Sequence, residues 1–300
     1  MAKHSKLEAL SLSNSPWRRL PDFIALTRLD RPIGIYLLLW PTLWAVWIAS
    51  EGLPSLKLML VFIGGVILMR SAGCVINDFA DRNFDGHVAR TANRPLATGR
   101  ISSREALILA AVIALLAFGL VLMTNLFTIL LSVGGLLLAF CYPFMKRYTY
   151  FPQAFLGAAF AWAIPMAFGA ASESVPTYAW LIYIATLLWT MAYDTLYAMA
   201  DREDDLKVGI KSTAVLFGEA DLLMIGLLEA FALLALIMLG GKLDFSLWYY
   251  LGLAVATGLW GWQLWQARTR EPETCFKCFL HNHWVGAAIF AGIFLHYNLV

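Results

Sequence analysis

The sequence predicts an all-α integral membrane protein with nine transmembrane helices, and three observations predict it. Of 300 residues, 60% are hydrophobic and only 14% are charged, with a mean hydropathy of +0.69, whereas a soluble domain carries roughly 25% charge. Apolar stretches of about twenty residues, the length a helix needs to cross a bilayer core, recur along the whole chain. Basic residues alternate between loops, as they do when one set of loops stays in the cytoplasm. The net charge of +2 gives no footprint for a nucleic-acid partner. Four scattered cysteines form no disulfide framework and point to a reduced compartment.

Residues 1–24 read as a basic cytoplasmic arm (Lys3, Lys6, Arg18, Arg19) without the apolar core of a cleavable signal peptide. Residues 25–300 then form one polytopic domain. Spans are expected over 33–50, 56–78, 104–123, 125–142, 153–171, 178–200, 219–240, 246–267 and 279–298. Pro32, Pro54, Pro152, Pro176 and Gly241 mark the breaks, and Pro165 should kink the fifth span. With the N-terminus inside, nineteen of the 22 basic residues fall on the cytoplasmic side. Lys57 and Lys242 fall on the other side, and Arg70 lies within a span. A wrong helix count would scramble this segregation.

The second and sixth spans both run into an acidic cluster, four spans apart, a hint of a duplicated helical bundle. One cluster is Asn77-Asp78-Phe79-Ala80-Asp81-Arg82-Asn83-Phe84-Asp85; the other runs from Asp194 to Asp205. They hold eight of the chain's twenty acidic residues. A helix turns about 100° per residue, so Asn77, Asp78, Asp81 and Asp85 fall within a sector of about 100°, and Asp194, Tyr197, Asp201 and Asp205 within about 80°. Two oxygen-rich faces at the membrane edge suit a hard cation such as Mg²⁺, which takes a few carboxylates and completes its shell with water and phosphate. Arg90 and Arg94 follow the first cluster, Lys207 and Lys211 the second, and Lys146 and Arg147 are expected on the same membrane face. Carboxylates alone suit a bare cation. Carboxylates mixed with Arg and Lys suit a metal-diphosphate.

These residues carry a family resemblance. Asn77-Asp78-x-x-Asp81-x-x-x-Asp85 with Arg90 and Arg94-Pro95-Leu96 resembles the first motif of the UbiA superfamily of intramembrane prenyltransferases. Tyr193-Asp194-Thr195-x-Tyr197-Ala198-x-x-Asp201-x-x-Asp204-Asp205, then Gly209-x-Lys211-Ser212-Thr213-Ala214, resembles the second. Arg31-Pro32-Ile33-Gly34 and Tyr142-Pro143-Phe144-Met145-Lys146-Arg147-Tyr148-Thr149 resemble its 4-hydroxybenzoate polyprenyltransferase branch. The resemblance spans about residues 25–298.

It implies nine helices around a central cavity, Mg²⁺, an allylic polyprenyl diphosphate donor and 4-hydroxybenzoate as acceptor. It also implies an early step of ubiquinone synthesis in a bacterial inner membrane. The segregation of basic residues puts the C-terminus on the periplasmic side and the acidic clusters, hence the active site, on the cytoplasmic side, and no obligatory protein partner is expected. Asn77, Asp81, Asp85, Asp201 and Asp205 are then the expected metal site. Asp81, Asp85, Asp194, Asp201 and Asp205 are the catalytic carboxylates, with Asp194 the candidate proton acceptor. Arg90, Arg94, Lys146 and Lys211 would bind diphosphate, and Arg147 and Tyr197 the acceptor.

Other features are expected to be structural. Trp40, Trp44 and Trp47 form a helical stripe of packing or interface residues. Gly64-Gly65 and Gly134-Gly135 suit close helix packing. Cys275-x-x-Cys278-x-x-His281-x-His283 points to divergent helix faces. A cation transporter or channel with acidic rings would explain the carboxylates but not the Arg and Lys loops. Within the enzyme class, a naphthoate, haem or a chlorophyll precursor are the rival acceptors.

Overall fold

The computed structural model describes residues 19–82 and 91–300, all of them helix, turn or loop. A short helix, α1 (Leu20–Thr27), ends where Arg28 adopts a left-handed conformation (φ 58°). The following helices are α2 (Ile33–Ala49), α3 (Leu56–Asp81), α4 (Ser103–Val121), α5 (Leu126–Met145), α6 (Pro152–Ala161) and α7 (Ala163–Ser172). The remainder are α8 (Ala179–Val208), α9 (Thr213–Phe217), α10 (Asp221–Lys242), α11 (Leu247–Ala267) and α12 (Pro272–Leu299).

Among the described residues, six helical segments are long and apolar enough to cross a membrane: Leu56–Asp81, Ser103–Val121, Leu126–Met145, Pro152–Ser172, Thr213–Lys242 and Pro272–Leu299. Helix α2 is apolar but shorter. Leu115 and Leu116 on α4, Leu130 and Leu137 on α5, and Leu223 and Phe231 on α10 all point outward. Apolar surface this extensive is unfavourable in water and matches a hydrocarbon solvent.

Two elements depart from expectation for local reasons. The fifth apolar stretch is broken at Trp162, between α6 and α7, rather than bent at Pro165 itself. Proline lacks an N–H for the carbonyl four residues back and its ring crowds that carbonyl; for Pro165 that residue is Ala161, the last of α6. Helix α8 continues past the expected end at residue 200 to Val208. Its 30 residues contain neither Gly nor Pro, and it stops only at Gly209, whose φ is +71°. At 1.5 Å per residue it is about 45 Å long, so it carries the second acidic cluster beyond an apolar span.

Helix α2 runs through the interior. Trp44 stacks on Trp189 of α8 with ring centroids 5.4 Å apart and donates from its indole to the Gly286 carbonyl at 3.0 Å. The tryptophan stripe is therefore core packing. Helix α8 packs against α6, α10 and α12, while α3 packs against α2 and α4. Gly157 permits the α6–α8 approach: a Cβ there would lie 2.7 Å from the Leu187 carbonyl oxygen. Gly134 similarly receives the Trp162 ring, which a Cβ would meet at 2.6 Å.

Candidate active site

The C-terminal ends of α3 and α8 face each other across a cavity of about 170 Å³. Asn77 and Asp81 line it from α3; Asp194, Tyr197, Asp201 and Asp205 line it from α8. Arg94, Lys146 and Lys211 reach it from three separate segments. Nine residues proposed from sequence thus converge from elements far apart in the chain. Asp85 and Arg90 lie outside the described residues.

Local structure explains the convergence. Gly209 reverses the chain at the end of α8, and the Ile210 N–H caps the Asp205 carbonyl at 2.9 Å. The Lys211 N–H then donates to the Lys146 carbonyl at 3.1 Å, tying the loop after α8 to the end of α5. Thr213 donates its N–H to the buried Gln153 side chain at 3.2 Å and shares a 2.7 Å hydroxyl contact with Thr195 of α8. Ser212 lies beside Asp205.

The charges are arranged unequally. Asp81 is buried; Lys146 pairs with its Oδ2, while its Oδ1 is sealed from solvent with no hydrogen-bond partner among the described residues. A buried carboxylate oxygen without a partner is energetically unfavourable unless something else satisfies it. Among the described residues, no three His, Cys, Asp or Glu side chains are close enough to form a metal cage alone. The carboxylates that reach the cavity suit a cation completed by water and phosphate oxygens, the usual habit of Mg²⁺, and Asp81 Oδ1 is an oxygen available to such a shell among the described residues.

Asp78 does not share this face. It is 1% exposed and accepts both available bonds of Arg28 Nη2 at 2.9 Å, with Arg94 Nη1 at 3.0 Å. It sits about 100° round the helix from Asn77, enough to turn it from the cavity to α1. Asp78 therefore ties α1 and the Arg94 segment to α3. Arg202 likewise turns away from its neighbour Asp201 and pairs with Asp221 at the start of α10. Asp221 also takes Arg270, from the turn between α11 and α12, at 3.0 Å.

Arg147 is not among the residues lining the cavity. Its guanidinium donates to the Ala80 carbonyl at the end of α3 and lies over the Phe144 ring.

A different arginine was passed over. Arg70 precedes Asn77 by seven residues, so Arg70, Cys74, Asn77 and Asp81 fall within about 60° on α3. Arg70 donates from Nη1 to Cys74 Sγ at 3.0 Å and lies 5.8 Å from the Phe160 ring centre. Its Nε is sealed from solvent with no hydrogen-bond partner among the described residues. Like Arg147, Arg70 is not among the residues that line the cavity. A lone cation inside a span was the available signal, since intramembrane charge marks function by default.

Residues 38–290 match the model of the UbiA prenyltransferase family. The chain belongs to the UbiA prenyltransferase family. It is 61% identical over 291 residues to the 4-hydroxybenzoate octaprenyltransferase of Stutzerimonas stutzeri (strain A1501), covering 97% of this chain and 98% of that protein. The protein of that name from Pseudomonas aeruginosa (strain UCBPP-PA14) is 62% identical over 278 residues, 93% of this chain and 94% of the relative. Among solved structures, the apo form of a UbiA homolog from Aeropyrum pernix K1 matches with a TM-score of 0.77 at 25% identity, over 87% of this chain and 97% of that one. A UbiA homolog from Archaeoglobus fulgidus bound to GPP and Mg²⁺ shares the fold, with a TM-score of 0.69 at 20% identity over 91% and 99%. The UbiA fold accordingly places the paired acidic helices of this family member at one cavity.

Proposed function

We propose that this UbiA-family enzyme transfers a polyprenyl group from an allylic polyprenyl diphosphate to the ring carbon ortho to the hydroxyl of 4-hydroxybenzoate, an early membrane step of ubiquinone synthesis. The observation that carries the reading is the cavity between α3 and α8, where carboxylates from both clusters meet Arg94, Lys146 and Lys211. The naming of relatives about 60% identical over nearly the whole chain supports the donor class and the acceptor.

Asn77, Asp81, Asp85, Asp201 and Asp205 would hold Mg²⁺. Bound there, the metal would neutralise charge building on the diphosphate oxygens. Arg90, Arg94, Lys146 and Lys211 add fixed positive charge around the same leaving group. The allylic C–O bond breaks and diphosphate departs with the electron pair. The electron-rich ring carbon supplies the pair for the new C–C bond, and the ring proton then leaves to a carboxylate. Asp194, two turns before Asp201 on α8, is the candidate to take it. The apolar surroundings keep water from the allylic cation, and the isoprenoid tail extends sideways into lipid.

Arg70 is our candidate for the acceptor carboxylate in place of Arg147. It lies about two turns from Asn77 on the same face of α3, and its buried Nε has no hydrogen-bond partner among the described residues. A guanidinium there offers two parallel donors to a carboxylate. Tyr197, whose ring packs edge-on against Phe279, flanks the same space. Nine spans with the N-terminus and active site cytoplasmic, in a bacterial inner membrane, complete the reading; α2, α8 and α11 supply the three spans beyond the six already described.

The test is reconstitution in detergent or vesicles with Mg²⁺, octaprenyl diphosphate and a panel of acceptors. Diphosphate release dependent on 4-hydroxybenzoate, with 3-octaprenyl-4-hydroxybenzoate as product, is expected. Release with a naphthoate or haem but not with 4-hydroxybenzoate would overturn the acceptor. Mg²⁺-driven ion flux without any transfer would overturn the enzyme.

A further inference from the structure

The Arg70 guanidinium is seated on a glycine. A Cβ built on Gly34 of α2 would lie 2.3 Å from Arg70 Nε, 2.5 Å from Nη2 and 2.8 Å from Cζ. These three nearest atoms all belong to one side-chain head. No methyl group fits at such distances, so the guanidinium occupies the space that any other residue's Cβ would fill. The conformational freedom of glycine is not the reason for its presence, because Gly34 is an ordinary helical residue within α2. As far as helix propensity goes, alanine would be the better residue there. The three closest obstacles to alanine are atoms of the Arg70 head.

The head is held on its other sides as well. Nη1 donates to Cys74 one turn further along α3, and the guanidinium carbon lies over the Phe160 ring of α6, 5.8 Å from its centroid. Cys74 and Phe160 constrain it from α3 and α6, and Gly34 gives it a floor on α2. A long, flexible side chain is thereby fixed in one place, which removes the ordering penalty a ligand would otherwise meet.

We propose that Gly34 is a positioning residue that sets acceptor specificity: its bare backbone seats the Arg70 guanidinium where it receives the carboxylate of an aromatic acid. The proposal rests on the assignment of Arg70 to the acceptor carboxylate made above. A Cβ at position 34 lifts the guanidinium off α2 and misplaces its donors while leaving the diphosphate site, at the far end of α3, untouched. Selectivity for a carboxylate over a neutral group should fall with it.

Initial rates with 4-hydroxybenzoate and with the neutral 4-hydroxybenzamide, each at saturating octaprenyl diphosphate and Mg²⁺, test this in Gly34→Ala, Arg70→Ala and the double variant. Gly34→Ala is expected to raise KM for 4-hydroxybenzoate at least about ten-fold. KM for the diphosphate should stay within about two-fold, and the preference for acid over amide should shrink. In the Arg70→Ala background the same change should add nothing, because the collision is gone.

If Arg70→Ala leaves KM for 4-hydroxybenzoate unchanged, the carboxylate assignment itself is wrong. If Arg70→Ala is impaired but Gly34→Ala is not, or if the two effects add, the assignment stands and the seat is refuted. Should Gly34→Ala fail to fold, the double variant decides. Recovery of monodisperse protein on removing the Arg70 side chain supports the seat. Failure of both means that Gly34 serves helix packing alone.

Discussion

The junction at Asp221 should govern the stability of the second acidic face. Asp221 is fully buried at the start of α10 and holds Arg202 of α8 and Arg270 of the α11–α12 turn at once. The two pairs are not equivalent. The Arg270 side chain keeps 41% of its surface exposed, so solvent screening reduces that pair to about 0–1 kcal/mol. The Arg202 side chain is 22% exposed and faces a carboxylate with none. Removing one partner of a buried pair costs about 3–5 kcal/mol, because the other charge is left desolvated; the residual exposure of Arg202 places this case near about 3 kcal/mol by the same rule. Asp221→Ala should therefore lower the midpoint for loss of monodisperse protein in detergent by about 6–12 °C, at 2–4 °C per kcal/mol. Asp221→Asn keeps a hydrogen-bond acceptor and should lose roughly half as much. Arg202 adjoins Asp201, so the freed end of α8 should also raise KM for the prenyl diphosphate. A midpoint for Asp221→Ala within about 2 °C of the unsubstituted protein, with unchanged KM, would refute the junction as an anchor of α8.

Other outcomes follow from the cavity and the helix order. Activity should vanish with EDTA and return with Mg²⁺, and Asp81→Asn, Asp201→Asn and Asp205→Asn should each reduce kcat at least about 100-fold; near-normal turnover in two of the three rules out the metal assignment. Arg147→Ala, which loses a bond to the Ala80 carbonyl, should raise KM for 4-hydroxybenzoate far less than Arg70→Ala does; the reverse order would return the carboxylate to Arg147. In a background without the four native cysteines, an impermeant thiol reagent should label Cys introduced at Thr98, Thr149 or Val208 from the cytoplasmic side and at Ser174 or Asp244 from the other. Labelling of Ser174 and Thr149 from one side would contradict nine spans.

The sequence was most informative where one helix carried the whole signal. Asn77 and Asp81, and Asp194, Tyr197, Asp201 and Asp205, follow the helical repeat and all line the cavity. A periodic pattern fixes which side chains share a face, because the backbone alone determines it. It does not fix how wide the shared face is. Asp78 lies at the edge of the same sector, and its outcome was decided by Arg28, fifty residues earlier, which no periodicity could place. The contacts of Arg147 and the surroundings of Arg70 escape the sequence for the same reason. Arg147 adjoins Lys146, which does reach the cavity, yet it turns to the Ala80 carbonyl.

Arg70 looks isolated in the sequence because, Cys74 apart, the groups around its head come from other helices: Gly34 from α2 and Phe160 from α6. A charge in the middle of an apolar run is too unfavourable to persist without such partners. The isolation of Arg70 in sequence was therefore itself evidence for a polar site at that depth. Gly34 is the complementary case. Nothing in Arg31-Pro32-Ile33-Gly34 indicates why glycine stands last, since α2 continues through it without a bend in φ. Its reason is the space required by an arginine thirty-six residues later, and a missing side chain leaves no pattern to read until the neighbour that fills its place has been located.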